Sequence, residues 1–127
     1  MIAQILIADD DSTITAVLSD YLSAKGSRVV IVNNGYQLAE KAAEHQPHLI
    51  VSDIQMPGAY GSSAYHVLQK DPATKNIPVI FMSGHSRERL DKILPAGPRI
   101  RFVQKPLKLD ALYEFVNELL PMGGYCP

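Results

Sequence analysis

Five short apolar runs punctuate the chain, at 3–9 (AQILIAD), 28–32 (RVVIV), 48–53 (HLIVSD), 78–84 (PVIFMSG) and 100–105 (IRFVQK), and each reads as a β-strand. They are rich in Val and Ile and apolar at consecutive positions, the pattern of parallel strands covered by helices on both faces. Stretches of helical period separate them. In 11–26 (DSTITAVLSDYLSAKG), Ile14, Val17, Leu18, Tyr21 and Leu22 fall at i, i+3, i+4, i+7 and i+8, which defines one helix face. Asp11 or Ser12 suits the N-cap, and Gly26 suits the left-handed residue past the end. A second helix is predicted over 35–45, stopped by Pro47, and a third over 62–70, ending before Asp71-Pro72. A fourth is predicted over 86–94, cut off by Pro95. A last one over 109–120 carries Leu109, Leu112, Tyr113, Val116, Leu119 and Leu120 on one face.

Strand–helix alternation repeated in this way implies an α/β domain with a parallel sheet and right-handed crossovers. The domain is expected over 1–121, with 122–127 a short flexible tail. A chain of 127 residues, 46% hydrophobic and 20% charged, can bury one sizeable core. Its formal net charge of -1 gives no basic surface for nucleic acid. No apolar run approaches the roughly 20 residues that span a bilayer, and the first ten residues run into acid without the basic start of a signal peptide. The single cysteine, Cys126, has no internal partner for a disulfide. A cytoplasmic location is expected.

Open parallel sheets bind ligands outside the carboxyl ends of their strands, so the polar residues at those ends carry the candidate chemistry. The first run ends in Asp9, Asp10 and Asp11, the third in Asp53, the fourth in Ser83, and the fifth in Lys105-Pro106. Each has an ordinary role available. An acidic triplet before a helix can cap it, Ser83-Gly84 can turn, and Lys-Pro can start a helix. Adjacent acids repel one another, however, and a cation relieves that repulsion. Four such coincidences at one sheet edge point to a site. The histidines His45, His48, His66 and His85 show no metal-ligand spacing. His85 alone lies near the site in sequence, two positions past Ser83.

The set "ILIADDDST", "LIVSDIQMPGAYG", "PVIFMSG" and "FVQKP" resembles the receiver domain of two-component response regulators, in its single-domain, chemotaxis-regulator-like form, over about residues 4–120. The resemblance implies a doubly wound, flavodoxin-like fold with five parallel strands in the order 2-1-3-4-5 and helices on both faces. It makes Asp53 the phosphoacceptor, taking a phosphoryl group from the phospho-histidine of a kinase. Asp9, Asp10, Asp53 and the backbone carbonyl of Gln55 would hold Mg²⁺, whose preference is for oxygen ligands. Ser83 and Lys105 would bind the phosphoryl oxygens, and the Lys105–Pro106 bond would be cis. Phe102 stands where an aromatic switch residue is expected, and Gln55 and His85 where residues tune dephosphorylation. Tyr60 replaces a common Asp, and "ILPAGPRIRF" replaces the usual link before the fifth strand.

The function expected from this resemblance is a phosphorylation-dependent signalling switch that catalyses only its own phosphorylation and dephosphorylation. Its partners would be a sensor histidine kinase or phosphotransfer protein and a downstream protein, with no direct DNA contact and no membrane. The output face would be the fourth predicted helix, the fifth strand and the last helix, with Arg87, Arg101, Lys108 and Tyr113 as contacts. One alternative is that the chain is a receiver excised from a longer regulator or hybrid kinase. Another is a Mg²⁺-dependent aspartyl phosphatase of the haloacid dehalogenase type, in which a second acid follows two residues after the nucleophile; here that position is Gln55.

Overall fold

Consecutive apolar residues produce strands buried on both faces. The structure, a computed structural model, describes residues 2–54, 61–84 and 97–120, with only the backbone of 61–63. Strands β1 (Gln4–Ala8), β2 (Arg28–Val32), β3 (Leu49–Asp53), β4 (Val79–Ser83) and β5 (Ile100–Gln104) pair in parallel in the order β2-β1-β3-β4-β5. Every residue of β3 and β4 is buried, which is why neither shows a polar alternation. The register sets Ile7 beside Val51, Val51 beside Ile80, and Phe81 beside Phe102.

Four helices cover the sheet among the described residues: α1 (Ser12–Ala24), α2 (Gly35–His45), α3 (Gly61–Lys70) and α4 (Leu109–Leu119). Because successive strand side chains point to opposite faces, two cores result. On one face Leu6, Ala8, Ile50, Val79 and Phe81 pack with Leu38 and Ala42 of α2 and Ala64 and Leu68 of α3. On the other, Ile5, Ile7, Leu49, Val51, Ile80 and Met82 pack with Leu18 and Leu22 of α1 and Leu112, Val116 and Leu119 of α4. No helix among the described residues is long and apolar enough to cross a membrane.

The helix ends follow from local chemistry. At the start of α1, the Asp11 carboxylate accepts the Thr13 N–H at 2.9 Å, satisfying one of the first-turn donors. Past its end, Gly26 takes a φ of 94° and the Ser27 N–H reaches back to the Leu22 carbonyl at 3.1 Å. The N-terminus of α2 is capped by Asn34, whose Oδ1 accepts the Gln37 N–H at 2.8 Å. Gln46, left-handed at φ 47°, ends α2 immediately before Pro47.

The helical period misplaces one residue of α1. Val17, expected on the buried face, is 46% exposed, and Thr15 is buried in its stead. Thr15 tolerates burial because its Oγ1 donates to the Ser12 carbonyl at 3.2 Å. Val17 lies on the shoulder of the helix, lining an open apolar hollow with Ile14, Leu107 and Leu109. The predicted helix 86–94, the tail 122–127 and Tyr60 lie outside the described residues.

This placement separates two neighbouring positions. Leu18→Ala is expected to cost about 2–5 kcal/mol, as for a fully buried leucine. Val17→Ala is expected to stay within about 0.5 kcal/mol of wild type. Urea unfolding of both variants checks this, and equal losses would contradict the exposure of Val17.

Candidate functional site

The carboxyl ends of β1, β3, β4 and β5 are fixed by main-chain bonds that run one residue beyond the strands. The Asp9 N–H donates to the Val32 carbonyl at 3.2 Å, the Ile54 N–H to Met82 at 3.1 Å, and the Lys105 N–H to Ser83 at 2.7 Å. These bonds hold the bases of Asp9, Asp53, Ser83 and Lys105 on a rigid frame. Asp9, Asp53 and Ser83 are all buried, at 1%, 7% and 3% exposure, while Asp10 is exposed. A carboxylate oxygen from each of Asp9, Asp10 and Asp53 lies within 4.8 Å of the others.

Buried carboxylates at this spacing repel unless a cation stands among them. Lys105 supplies it. Its Nζ lies 3.1 Å from Asp9 Oδ2 and 3.5 Å from Asp53 Oδ2. Asp9 also accepts the Asp11 N–H on Oδ1 at 3.0 Å, so both of its oxygens are engaged. Burial by itself would lower the Lys105 pKa. The charge of Asp53, then the hydrogen bond and charge of Asp9, outweigh that and leave it raised above its ordinary value. The Lys105–Pro106 peptide bond is cis, as expected.

The structure therefore brings Asp9, Asp10, Asp53 and Lys105 to one place, with Ser83 buried at the end of the adjoining strand. Gln55 and His85 lie outside the described residues, as does Arg87. Phe102 stands on β5, half-buried, with its ring stacked on Phe81 at 5.9 Å between centroids and 22° between planes. Two residues offered as output contacts have partners inside the domain. Arg101 Nε donates to Glu118 at 3.2 Å and its Nη1 to the Pro98 carbonyl at 3.1 Å. Tyr113 packs edge-on against Tyr21 at 6.0 Å, with the Lys25 ammonium over its ring. Lys108 is exposed. Of the described histidines, His48 has a structural role, its Nδ1 accepting the Gln4 N–H at 2.9 Å.

Asp11 caps α1, as its sequence position suggests, but sequence reasoning missed that it also donates its N–H to Asp9. The acidic triplet was visible, but its division into a partnered inner acid, an exposed middle one and a capping outer one needs coordinates. Tyr65 was also missed. It sits edge-on to Phe81 from α3 at 5.7 Å.

Against known proteins, the model of the response regulator receiver domain matches residues 5–117. The chain belongs to the response regulator receiver family. The chemotaxis protein CheY of Bacillus subtilis is 33% identical over 121 residues, covering 94% of this chain and 99% of its own. The C4-dicarboxylate transport transcriptional regulatory protein DctD of Pseudomonas aeruginosa is 32% identical over 92% of this chain, which spans 25% of that protein's length. In structure, the chain is similar to the receiver domain of a sensor histidine kinase from Pseudomonas aeruginosa, with a TM-score of 0.86 and 21% identity over 95% of this chain and 99% of that one. That structure has a magnesium ion coordinated in its active-site cleft. The sheet order and parallel pairing of this receiver domain bear out the fold inferred from its sequence.

The raised Lys105 pKa fixes a pH dependence. A group held protonated in the fold contributes stability that is complete below its unfolded pKa, about 10.4, and is lost as pH rises through the folded value. Lys105→Gln is therefore expected to melt below wild type at pH 8. The gap should close as pH climbs past 10.5 through the raised folded value. Melting curves of both proteins between pH 8 and 11.5 test this; a gap constant with pH would show that Lys105 acts through packing alone.

Proposed function

We propose that this receiver domain is a phosphorylation-dependent switch with Asp53 as phosphoacceptor. The observation that carries the reading is the Lys105 ammonium held 3.1 Å from Asp9 and 3.5 Å from Asp53 at the rigid carboxyl edge of the sheet. An Asp53 oxygen attacks the phosphorus of a phospho-histidine on a sensor kinase or phosphotransfer protein. The P–N bond breaks, its electron pair leaves with the donor imidazole, and an acyl phosphate forms on Asp53. Lys105 lies where it can pair with the oxygens of the transferred group, and the Ser83 hydroxyl, at the end of β4, with the same oxygens. Both neutralise charge that develops in transfer.

The all-oxygen set of Asp9, Asp10 and Asp53 fits Mg²⁺, and the family resemblance implies the backbone carbonyl of Gln55, outside the described residues, as a further ligand. When bound, the ion screens the repulsion between the carboxylate and the incoming phosphoryl group. Asp10, exposed at the mouth, offers a carboxylate from the solvent side, and Asp9 and Asp53 offer theirs from within. The chain catalyses only its own phosphorylation and dephosphorylation. It signals in the cytoplasm by protein contact, through a face that includes β5 and α4, without touching DNA itself. The apolar hollow bordered by Ile14, Val17, Pro106 and Leu107 opens beside Lys105, where a phosphodonor has to approach. The match to a quarter of DctD supports a second setting, in which the same switch is one part of a longer regulator. The chemistry at Asp53 is the same in both.

With Mg²⁺ and acetyl phosphate, wild-type protein should gain a single phosphoryl mass in intact-protein mass spectrometry, and Asp53→Asn should gain none. An unmodified wild type, or a modified variant, would sink the assignment. Mg²⁺ should also raise the melting temperature by mass action, and Asp10→Asn should remove that rise. The sequence has no tryptophan, so melts or NMR shifts must serve as the readout. A variant that responds to Mg²⁺ like wild type would reduce the acidic triplet to a helix cap.

A further inference from the structure

Three aromatic rings connect β5 to α3 across one face of the sheet. Phe81, at 1% exposure, is the centre. Phe102, its register partner on β5, stacks on one side at 5.9 Å, and Tyr65 of α3 meets it edge-on at 5.7 Å with 67° between planes. Both contacts have the offset or edge geometry that aromatic quadrupoles favour. Phe81 also lies two residues before Ser83 on β4, and so on the same face of the strand. A ring that Phe102 must stack upon is thus itself held from behind by Tyr65.

We propose that Tyr65 is a positioning residue for the phosphorylation switch: by holding Phe81, it stabilises the stacked position of Phe102 and so couples α3 to the occupancy of Asp53. This rests on the reading of Asp53 as phosphoacceptor. It rests equally on the reading of Phe102 as the switch residue, with the stacked arrangement taken as the one that accompanies phosphorylation; Ser83 lies two residues from Phe81 on the same face of β4. Coupling between two sites is reciprocal, so if occupancy of Asp53 stabilises the stack, the stack tightens binding at Asp53 by the same factor, and loss of the Tyr65 contact removes part of that gain. The Tyr65 hydroxyl points to a supporting detail. Burial raises its pKa, with the charge of Arg99 opposing, so the ring is held partly out of water and near the segment that leads into β5.

The test is titration with beryllofluoride, an acyl-phosphate mimic, in saturating Mg²⁺. Tyr65→Leu should weaken apparent binding by about fivefold, the low end of ordinary coupling between sites. Tyr65→Phe, which keeps the ring, should bind within a factor of about two of wild type. In a Phe102→Leu background, Tyr65→Leu should change binding by no more than that same factor of about two, since the ring through which it acts is gone. Tyr65→Met runs in parallel and is expected to match Tyr65→Leu, so a leucine variant that fails to fold leaves the comparison intact. The proposal is overturned if the ring-less variants bind like wild type, if Tyr65→Phe loses as much as they do, or if the loss persists undiminished without Phe102. Wild-type protein that ignores beryllofluoride overturns the phosphoacceptor reading and this inference together, which separates the two failures.

Discussion

Two buried carboxylates from different strands share one ammonium, and the edge of the sheet is organised around that sharing. Asp9 follows β1, Asp53 ends β3, and Lys105 follows β5, so the ion cluster ties three strands that the chain meets in widely separated places. Removing the cation would leave uncompensated charge out of water, a penalty larger than the pair's own net contribution. The neighbouring backbone bonds of Asp9 and Lys105 leave little room to relax. The cluster is therefore not chiefly a source of stability. It is an electrostatic demand that Lys105 satisfies, and on the phosphoacceptor reading proposed above a phosphoryl group on Asp53 would draw on the same ammonium.

Such a demand is affordable only on a stiff frame. The two cores supply it, with β3 and β4 buried along their whole length and helices packed on both faces. The polar groups sit where strands end and loops begin, so the interior need not house a charge without a partner. Among the described residues, no buried side-chain nitrogen or oxygen lacks a hydrogen-bond partner. On the proposed reading, the charge that would arrive is about 1.5 to 2 units. It meets groups that are already oriented, and little reorganisation is left for the moment of transfer.

The strands were legible from their Val- and Ile-rich apolar runs: LIVSD is buried throughout β3, and RVVIV matches β2 although that edge strand leaves Ile31 exposed. Asp11 and Gly26 were legible as helix ends because their side-chain and backbone chemistry is local. Strand order was not legible from periodicity; it came with the family resemblance. Val17 and Thr15 show why helix faces are read less surely. Period alone ranks residues by hydrophobicity, whereas a hydroxyl bonded to its own helix can be buried and a valine at the shoulder can be left out. The site residues Asp9, Asp10, Asp53 and Lys105 were each weak in isolation, and their convergence follows from sheet topology. The aromatic column was invisible because Tyr65, Phe81 and Phe102 lie on three elements with no shared spacing.

Phe102 gives that column its significance. A tyrosine at this position would carry a hydroxyl that seeks water, and turning the ring against Phe81 would cost that hydration. Phenylalanine has no such tether, and its ring is stacked on Phe81 and half-buried. A ligand shifts an equilibrium only by its differential affinity for the two states. On the proposed reading of Phe102 as the switch residue, a phenylalanine therefore makes the stacked state less costly than a tyrosine would. On that reading, what phosphorylation would add beyond Phe102 is new partners for Ser83 and Lys105, at the carboxyl ends of the same two strands.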